Sequence, residues 1–302
     1  VPVEAIRTAE LSKSYGDAVA LSGLTMTVPR GEIFGFLGPN GSGKTTAVKL
    51  LLGLARASSG QAWVLGRAAG SVTSRKRIGY LPELFRYQGW LSGREVLLLH
   101  CELAGLPRAS WDRETHDALV TVGLSGHGDA RVATFSKGMQ QRLGLGVAMI
   151  GDPELVILDE PTSALDPVGR HDARVIIRRL RERGCTVFLN SHLLGEVEQV
   201  CDRVAVVSQG RVIATGTINE LLQGDVVRLR VAGLDAAGRA ILERRGPVVD
   251  EDSWVVVRGV AEDDVPQLVT ELVNNGVRVY AVEPSRQSLE ERFLSLLRAE
   301  QP

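Results

Sequence analysis

The sequence is short of cysteine. Its 302 residues hold three, Cys101, Cys185 and Cys201, far apart and without a CxxC pair. That spacing fits neither a zinc site nor a disulfide framework, and it points to a reducing, cytosolic setting. Net charge is scarce as well. The 35 Lys and Arg nearly cancel the 36 Asp and Glu, leaving −1 at pH 7, which argues against a protein built mainly to hold nucleic acid. Long apolar runs are missing too. The densest, LGLGVAMI (143–150), has eight residues, far below the roughly 20 of a bilayer-crossing helix. Any membrane role is therefore expected to come through a partner. The opening VPVEAIRTAEL carries Glu4, Arg7 and Glu10 and no apolar h-region, so no secretory signal is expected.

What is present is an ordinary globular balance, 44% apolar and 24% charged, in a chain long enough for one large domain or two. EIFGFL (32–37), LVILDE (155–160) and CTVFLN (185–190) read as buried strands, and KTTAVKLLLGL and RVIIRRLRERG (174–184) as helices. Residues 1–30 read as strands broken by a turn at Tyr15–Asp17, residues 61–81 as short strands, and RVAVVSQGRVIATG as a hairpin turning at Gln209-Gly210. Residues 92–150 are mostly helical in pattern, with breaks near 105–107 and 126–128. Strand–helix–strand alternation predicts an α/β fold with a mostly parallel sheet and helices on its faces. Around Gln223-Gly224-Asp225 the pattern changes. Residues 225–302 read as a small separate α+β domain, with strands VVRLRV, WVVVRGV and VRVYAV and helices near 235–245, 262–275 and 287–299. That segment offers no catalytic constellation.

GPNGSGKT (38–45) fits G-x-x-x-x-G-K-[ST] and lies between a predicted strand and a predicted helix, the context this phosphate loop demands. Glycines let consecutive N–H groups curl around phosphate oxygens, and the helix start adds its positive end. Lys44 is expected to reach the β and γ phosphates and the Thr45 hydroxyl to bind Mg²⁺. Gly38, Asn40, Gly41, Ser42, Gly43, Lys44, Thr45 and Thr46 are the candidate ATP contacts. A chance match to the fixed positions is expected roughly once in a hundred chains of this length.

LVILDEP places Asp159 and Glu160 at the end of a strand, where α/β sheets gather ligands. Asp159 is expected beside Mg²⁺ through a bound water, and Glu160 to take a proton from an attacking water. The bland alternative for such a pair is a solvated strand end. NSH (190–192) closes the next strand in the same way, so His192 is a candidate γ-phosphate contact. His100, His116, His127 and His171 have no such context and read as structural or surface residues. Tyr15, in the early turn, could stack on adenine or be a half-buried turn tyrosine.

TFSKGMQQRL (134–143) holds no acid, base or metal ligand, yet it combines Ser136 and Gly138 at a helix start. With it the chain resembles a known family, the ATP-binding subunits of ABC transporters, over about residues 3–222. Tyr15 resembles the family's adenine-stacking aromatic, GPNGSGKT its Walker A, LVILDE its Walker B, SALD (163–166) its D-loop and His192 its switch histidine. FSKGM falls where the family carries LSGGQ. The resemblance implies a P-loop ABC cassette over residues 1–222, with an antiparallel β subdomain and a helical subdomain at about 84–150. It implies ATP hydrolysis, with Lys44, Glu160 and His192 catalytic. It also implies a head-to-tail pair in which Ser136, Gly138 and Asp166 meet the ATP held by the partner. Ser136 could also cap its own helix, and the two readings are compatible.

Two departures stand out. Lys137 and Met139 replace the family's Gly and Gln, and Glu83 in GYLPE replaces its usual Gln. Glu83 can still offer an oxygen to Mg²⁺. Both variants resemble ATPases that serve ABC-2-type exporters. The resemblance implies a separate membrane permease, no nucleic acid, and a place on the cytoplasmic face of the inner or plasma membrane. Leu84, Phe85, Tyr87 and Trp90 suit a groove for a permease helix, or equally an ordinary subdomain core. Two further readings stand beside the transporter: a soluble ABC ATPase acting on DNA or ribosomes, and a switch regulated through residues 225–302. No sustained heptads lie between Thr45 and Ser136, and one cassette is present rather than two, which weighs against the first of these.

Overall fold

Strands that are apolar on both faces are stable only inside a sheet covered on both sides, and the centre of this protein is built from them. A computed structural model describes residues 4–163, 165–222, 225–286 and 288–299. Ala164 of the expected D-loop and Gln223-Gly224 at the expected boundary lie outside the described residues. The chain divides into two units, Val1–Ile218 and Asn219–Pro302.

The first unit opens with β1 (Glu4–Tyr15), β2 (Ala18–Pro29), β3 (Ile33–Leu37), α1 (Lys44–Leu51), β4 (Ser59–Val64), β5 (Arg67–Ala68), α2 (Val72–Arg75) and β6 (Ile78–Leu81). A helical stretch follows, α3 (Gly93–Leu103), α4 (Trp111–Thr121) and α5 (Lys137–Ala148). The unit continues through β7 (Leu155–Asp159), α6 (Pro167–Glu182), β8 (Thr186–Ser191), α7 (Leu194–Val200), β9 (Arg203–Ser208) and β10 (Arg211–Thr217), and α8 (Ile218–Leu222) comes next. The central sheet has the order β10-β9-β3-β8-β7-β6. Its pairs are parallel except the β9–β10 hairpin, which turns through Gln209 and Gly210, both with positive φ, as expected. β3, β7 and β8 are buried along their whole length. Phe188 of β8 packs against Phe34 and Phe36 of β3, with ring centroids 6.1 and 5.2 Å away.

A second sheet, β2-β1-β4-β5, is antiparallel. Its inward residues Ile6, Leu11, Leu21, Leu24 and Val28 share one core with Ala47, Val48 and Leu51 of α1 and with Phe34, Phe36 and Phe188. The parallel core, antiparallel sheet and helical stretch are the α/β cassette architecture that the sequence implies. Two helices differ from expectation. α2, in a region read as strand only, is a single turn capped by the Ser71 hydroxyl, which accepts from Ser74 N–H at 3.2 Å. α6 starts seven residues before the expected 174, because Asp166 caps it and Pro167 occupies its first position.

The second unit comprises β11 (Asp225–Ala232), α9 (Ala236–Glu243), β12 (Val248–Glu251), β13 (Trp254–Arg258), α10 (Val265–Asn274), β14 (Arg278–Arg286) and α11 (Leu289–Ala299). Its sheet has the order β12-β13-β11-β14, antiparallel throughout. With the sequence order βαββαβ this is the ferredoxin-like topology. Val227, Leu229, Val255 and Val257 form a core of their own with Ile241 and Leu242 of α9 and Leu268 and Leu272 of α10. β12 was not expected. It is a four-residue edge strand ending in Asp250 and Glu251, both exposed, and edge strands tolerate such charge.

Candidate functional site

The carboxyl ends of β3, β8 and β7 are neighbours in the central sheet, so the loops that leave them share one place. After β3 the chain turns through residues 38–43 into α1. Gly43 takes a φ of 97°, and a Cβ there would strike the Ala20 carbonyl. A Cβ on Gly38 would strike the Val207 carbonyl. Glycine is therefore required at both ends of the loop. Lys44 begins α1 and is 7% exposed. Its Nζ donates to the carbonyls of Gly38 at 2.7 Å and Pro39 at 3.2 Å. Burial pushes its pKa down, partly offset by the charges of Glu160, Asp159 and Glu83.

These groups line a cavity of about 300 Å³ formed by Ala20, Asn40, Gly41, Gly43, Lys44, Thr45, Thr46, Glu83, Asp159, Glu160, Asn190 and His192. Glu160 has a φ of 51°, a left-handed conformation for a residue with a Cβ. Its N–H donates to the Asn190 carbonyl at 2.9 Å. Its Oε1 lies 2.8 Å from His192 Nδ1, while Oε2 is buried and without a partner among the described residues. Asp159 is 2% exposed. Its Oδ1 accepts from Asn190 Nδ2 at 2.5 Å. Burial raises the Asp159 pKa, the Asn190 hydrogen bond opposes this, and Glu83 and Glu160 add to the rise. Tyr80 of β6 feels the same surroundings. Burial, then Asp159 and Glu83, push its phenol up to about 12.

The structure thus brings together Asn40, Gly41, Gly43, Lys44, Thr45, Thr46, Glu83, Asp159, Glu160 and His192. Gly38 and Ser42 form the buried back of the loop. Tyr15 is not among the lining residues. It ends β1, is 51% exposed and has Lys13 Nζ 4.7 Å from its ring centre. Ser136, Gly138 and Asp166 also stand outside the cavity. Ser136 Oγ accepts from Met139 N–H at 3.2 Å and caps α5, and Asp166 Oδ1 accepts from Gly169 N–H at 2.7 Å and caps α6. Asn190 and Ala20 line the cavity and were not singled out from the sequence. For Asn190 the available signal was a polar residue closing an apolar strand.

Phosphate suits this site: bare backbone, a helix start and a lysine face it. Mg²⁺ suits it too. Thr45, Glu83 and Asp159 offer only oxygen, the ligand type Mg²⁺ takes. Asn190 Oδ1 and Glu160 Oε2 are buried acceptors without donors among the described residues. Among the described residues no three His, Cys, Asp or Glu are placed to hold a metal by themselves.

A second cavity of about 690 Å³ opens between β6 and the helical stretch, lined by Tyr80, Phe85, Tyr87, His100, Leu103, Val147 and Ile150 among others. Phe85 and Tyr87 pack with centroids 5.3 Å apart, and Tyr87 meets His100 edge-on at 5.9 Å. Leu84 and Trp90, 88% and 73% exposed, belong neither to that cavity nor to the core. Among the described residues no helix is long and apolar enough to cross a membrane.

Comparison with known proteins identifies the family. The ABC transporter family model matches residues 21–163. An uncharacterized ABC transporter ATP-binding protein of Nostoc is 39% identical, over 96% of this chain and 89% of that protein. The daunorubicin/doxorubicin resistance ATP-binding protein of Streptomyces peucetius is 37% identical, over 98% of this chain and 93% of its own length. Among solved structures, an ATP binding subunit of an ABC transporter superposes with a TM-score of 0.65 at 30% identity, covering 72% of this chain and 91% of that one. By fold, by the contents of its cavity and by full-length similarity, the chain belongs to the ATP-binding subunits of ABC transporters, and it is an ATPase.

Proposed function

We propose that two copies of this chain close head to tail around two ATP molecules and drive a separate membrane permease. One observation carries the reading. Lys44, Glu160 and His192 converge on one cavity, while Ser136, Gly138 and Asp166 of the same chain stand outside it. Each chain then offers two half-sites. Ser136 and the Gly138 backbone meet the γ-phosphate held by the other copy, with Asp166 beside them. Lys44 and the loop N–H groups bind the phosphates, and Tyr15 approaches the adenine when ATP is bound. Thr45, Asp159 and Glu83 hold Mg²⁺, which withdraws charge from the phosphates when bound.

Hydrolysis follows from the geometry of Glu160. Its Oε1 faces His192 Nδ1, so the unpaired Oε2 is the acceptor left for a proton. Water attacks the γ-phosphorus, its proton passes to Oε2, and the bond to the β-phosphate oxygen breaks, giving ADP and phosphate. His192 holds the carboxylate in place by its hydrogen bond. ATP does mechanical work only by favouring the closed pair over the open one.

The aromatic cavity beside Phe85 and Tyr87 is the proposed seat of a permease helix, which places the chain at the cytoplasmic face of the membrane. An ABC-2-type exporter is the subgroup proposed; similarity to the Streptomyces drug-resistance protein, which spans the second unit as well as the cassette, and to a Nod factor export ATP-binding protein of Rhizobium supports export. The second unit, with its own core, is assigned an accessory role in dimer support or regulation.

Mixing two inactive variants tests the shared site. In a mixed pair of Lys44→Ala and Ser136→Ala chains, one composite site carries both lesions and the other carries none. ATPase activity should reappear on mixing. A mixture as inactive as its components would place Ser136 in service of its own chain and end the head-to-tail reading.

A further inference from the structure

Asn190 is the least exposed polar residue at the cavity, at 1%, and no role in the proposed mechanism uses its side chain. β7 and β8 run parallel in a register that sets Asp159 opposite Asn190. Through that register one residue holds the Asp159 carboxylate by its side chain and the Glu160 N–H by its backbone carbonyl. Its Nδ2 donates to Asp159 Oδ1 at 2.5 Å, and its carbonyl accepts Glu160 N–H at 2.9 Å. The second contact fixes a backbone whose φ of 51° is unfavourable to any residue with a Cβ. The first leaves Asp159 a single oxygen for the cavity it lines. Asn190 Oδ1 remains buried and without a donor.

We infer that Asn190 is a positioning residue of the ATPase site: its amide locks Asp159 in the orientation that receives the metal. The inference rests on the ATP and Mg²⁺ reading given above. An amide can donate to a carboxylate without bringing a charge of its own into a buried site. A leucine of similar size would leave Asp159 Oδ1 buried without a donor, and such a carboxylate is costly. An alanine would also open a gap.

The test uses the full chain and trinitrophenyl-ATP as a fluorescent probe. Binding is measured in EDTA and then against rising Mg²⁺, for the wild type, Asn190→Leu and Asn190→Ala, with a thermal melt in EDTA to report folding. The expected result is probe binding in EDTA within about twofold of the wild type and a Mg²⁺ half-saturation raised about tenfold, equivalent to about 1.4 kcal/mol. An unchanged Mg²⁺ half-saturation in a folded variant overturns the assignment. So does a parallel loss of probe binding with and without Mg²⁺, or unfolding of both variants, since either makes Asn190 a residue of the fold alone. If the wild type fails to bind the probe under every condition, the ATP reading itself falls, which is a separate result.

Discussion

Replacing Glu160 by Gln exchanges one oxygen for an NH₂ group and keeps the size of a side chain that is 10% exposed. With its proton on Nδ1, His192 donates to the amide oxygen from 2.8 Å, as it does to the carboxylate. The NH₂ group then takes the place of Oε2, the buried oxygen without a partner. A donor now stands where the mechanism needs an acceptor, while no atom of the phosphate loop has moved. Loss of a general base costs about 10²–10⁴ in rate, or about 3–5 kcal/mol of barrier. Phosphate release should therefore fall at least a hundredfold in kcat. Nucleotide affinity should stay within a few-fold of the wild type, because Lys44 and the loop N–H groups are intact. With hydrolysis stalled, an ATP-dependent dimer should accumulate in sedimentation runs. A kcat within threefold of the wild type would remove Glu160 from the role of base. A stalled variant that stays monomeric with ATP would count against the closed pair.

The helical stretch offers a pH test. Burial holds the His100 pKa below its ordinary 6.5, and the hydrogen bond to the Val96 carbonyl offsets this only in part. As pH falls the unfolded chain binds this proton first, so the stability tied to neutral His100 is complete above 6.5 and is lost as pH drops through 6.5 toward the folded value. His100→Gln should narrow the difference in Tm between pH 7.5 and 5.5, and an unchanged difference refutes the assignment. A second perturbation probes the packing of α6 against α7. Arg174 and Glu196 pair at 2.6 Å with side chains 15% and 13% exposed. Arg174→Ala should cost about 2 kcal/mol in urea unfolding, less than the 3–5 kcal/mol of a fully buried pair. A loss below about 0.5 kcal/mol would mean the pair is screened like a surface one.

Much of this site could be read in the chain because its chemistry is local. A phosphate cradle needs Gly38, Gly43 and Lys44 within a few residues, and the backbone contacts of those glycines with Val207 and Ala20 forbid replacements. Strand ends were legible for the same reason: LVILDE and CTVFLN are too apolar to lie anywhere but inside a sheet. Asn190 escaped because its meaning is set by strand register with Asp159, 31 residues away, and a lone asparagine carries no local pattern. β12 escaped because four residues, two of them acidic, outweigh no turn signal. The start of α6 was legible and was missed. Asp166-Pro167 is a cap followed by a first-turn proline, but the exposed, polar stretch behind it hid the helical period.

Lys137 shows where helix stability and function part. It is exposed at the first position of α5, directly after the Ser136 cap, and the first turn holds no acid to balance it. A cation at a helix N-terminus opposes the helix dipole by about 0.3–1 kcal/mol. The higher helix propensity of lysine over the glycine of the family pattern offsets this by a similar amount, so the isolated chain has little net preference between the two. A triphosphate brought to the same point by a second copy reverses the sign, since it satisfies the lysine and the dipole together. On the shared-site reading, a residue that is close to neutral for each copy alone strengthens the closed pair, and the departure from the family pattern then acts in the direction that ATP-driven closure requires.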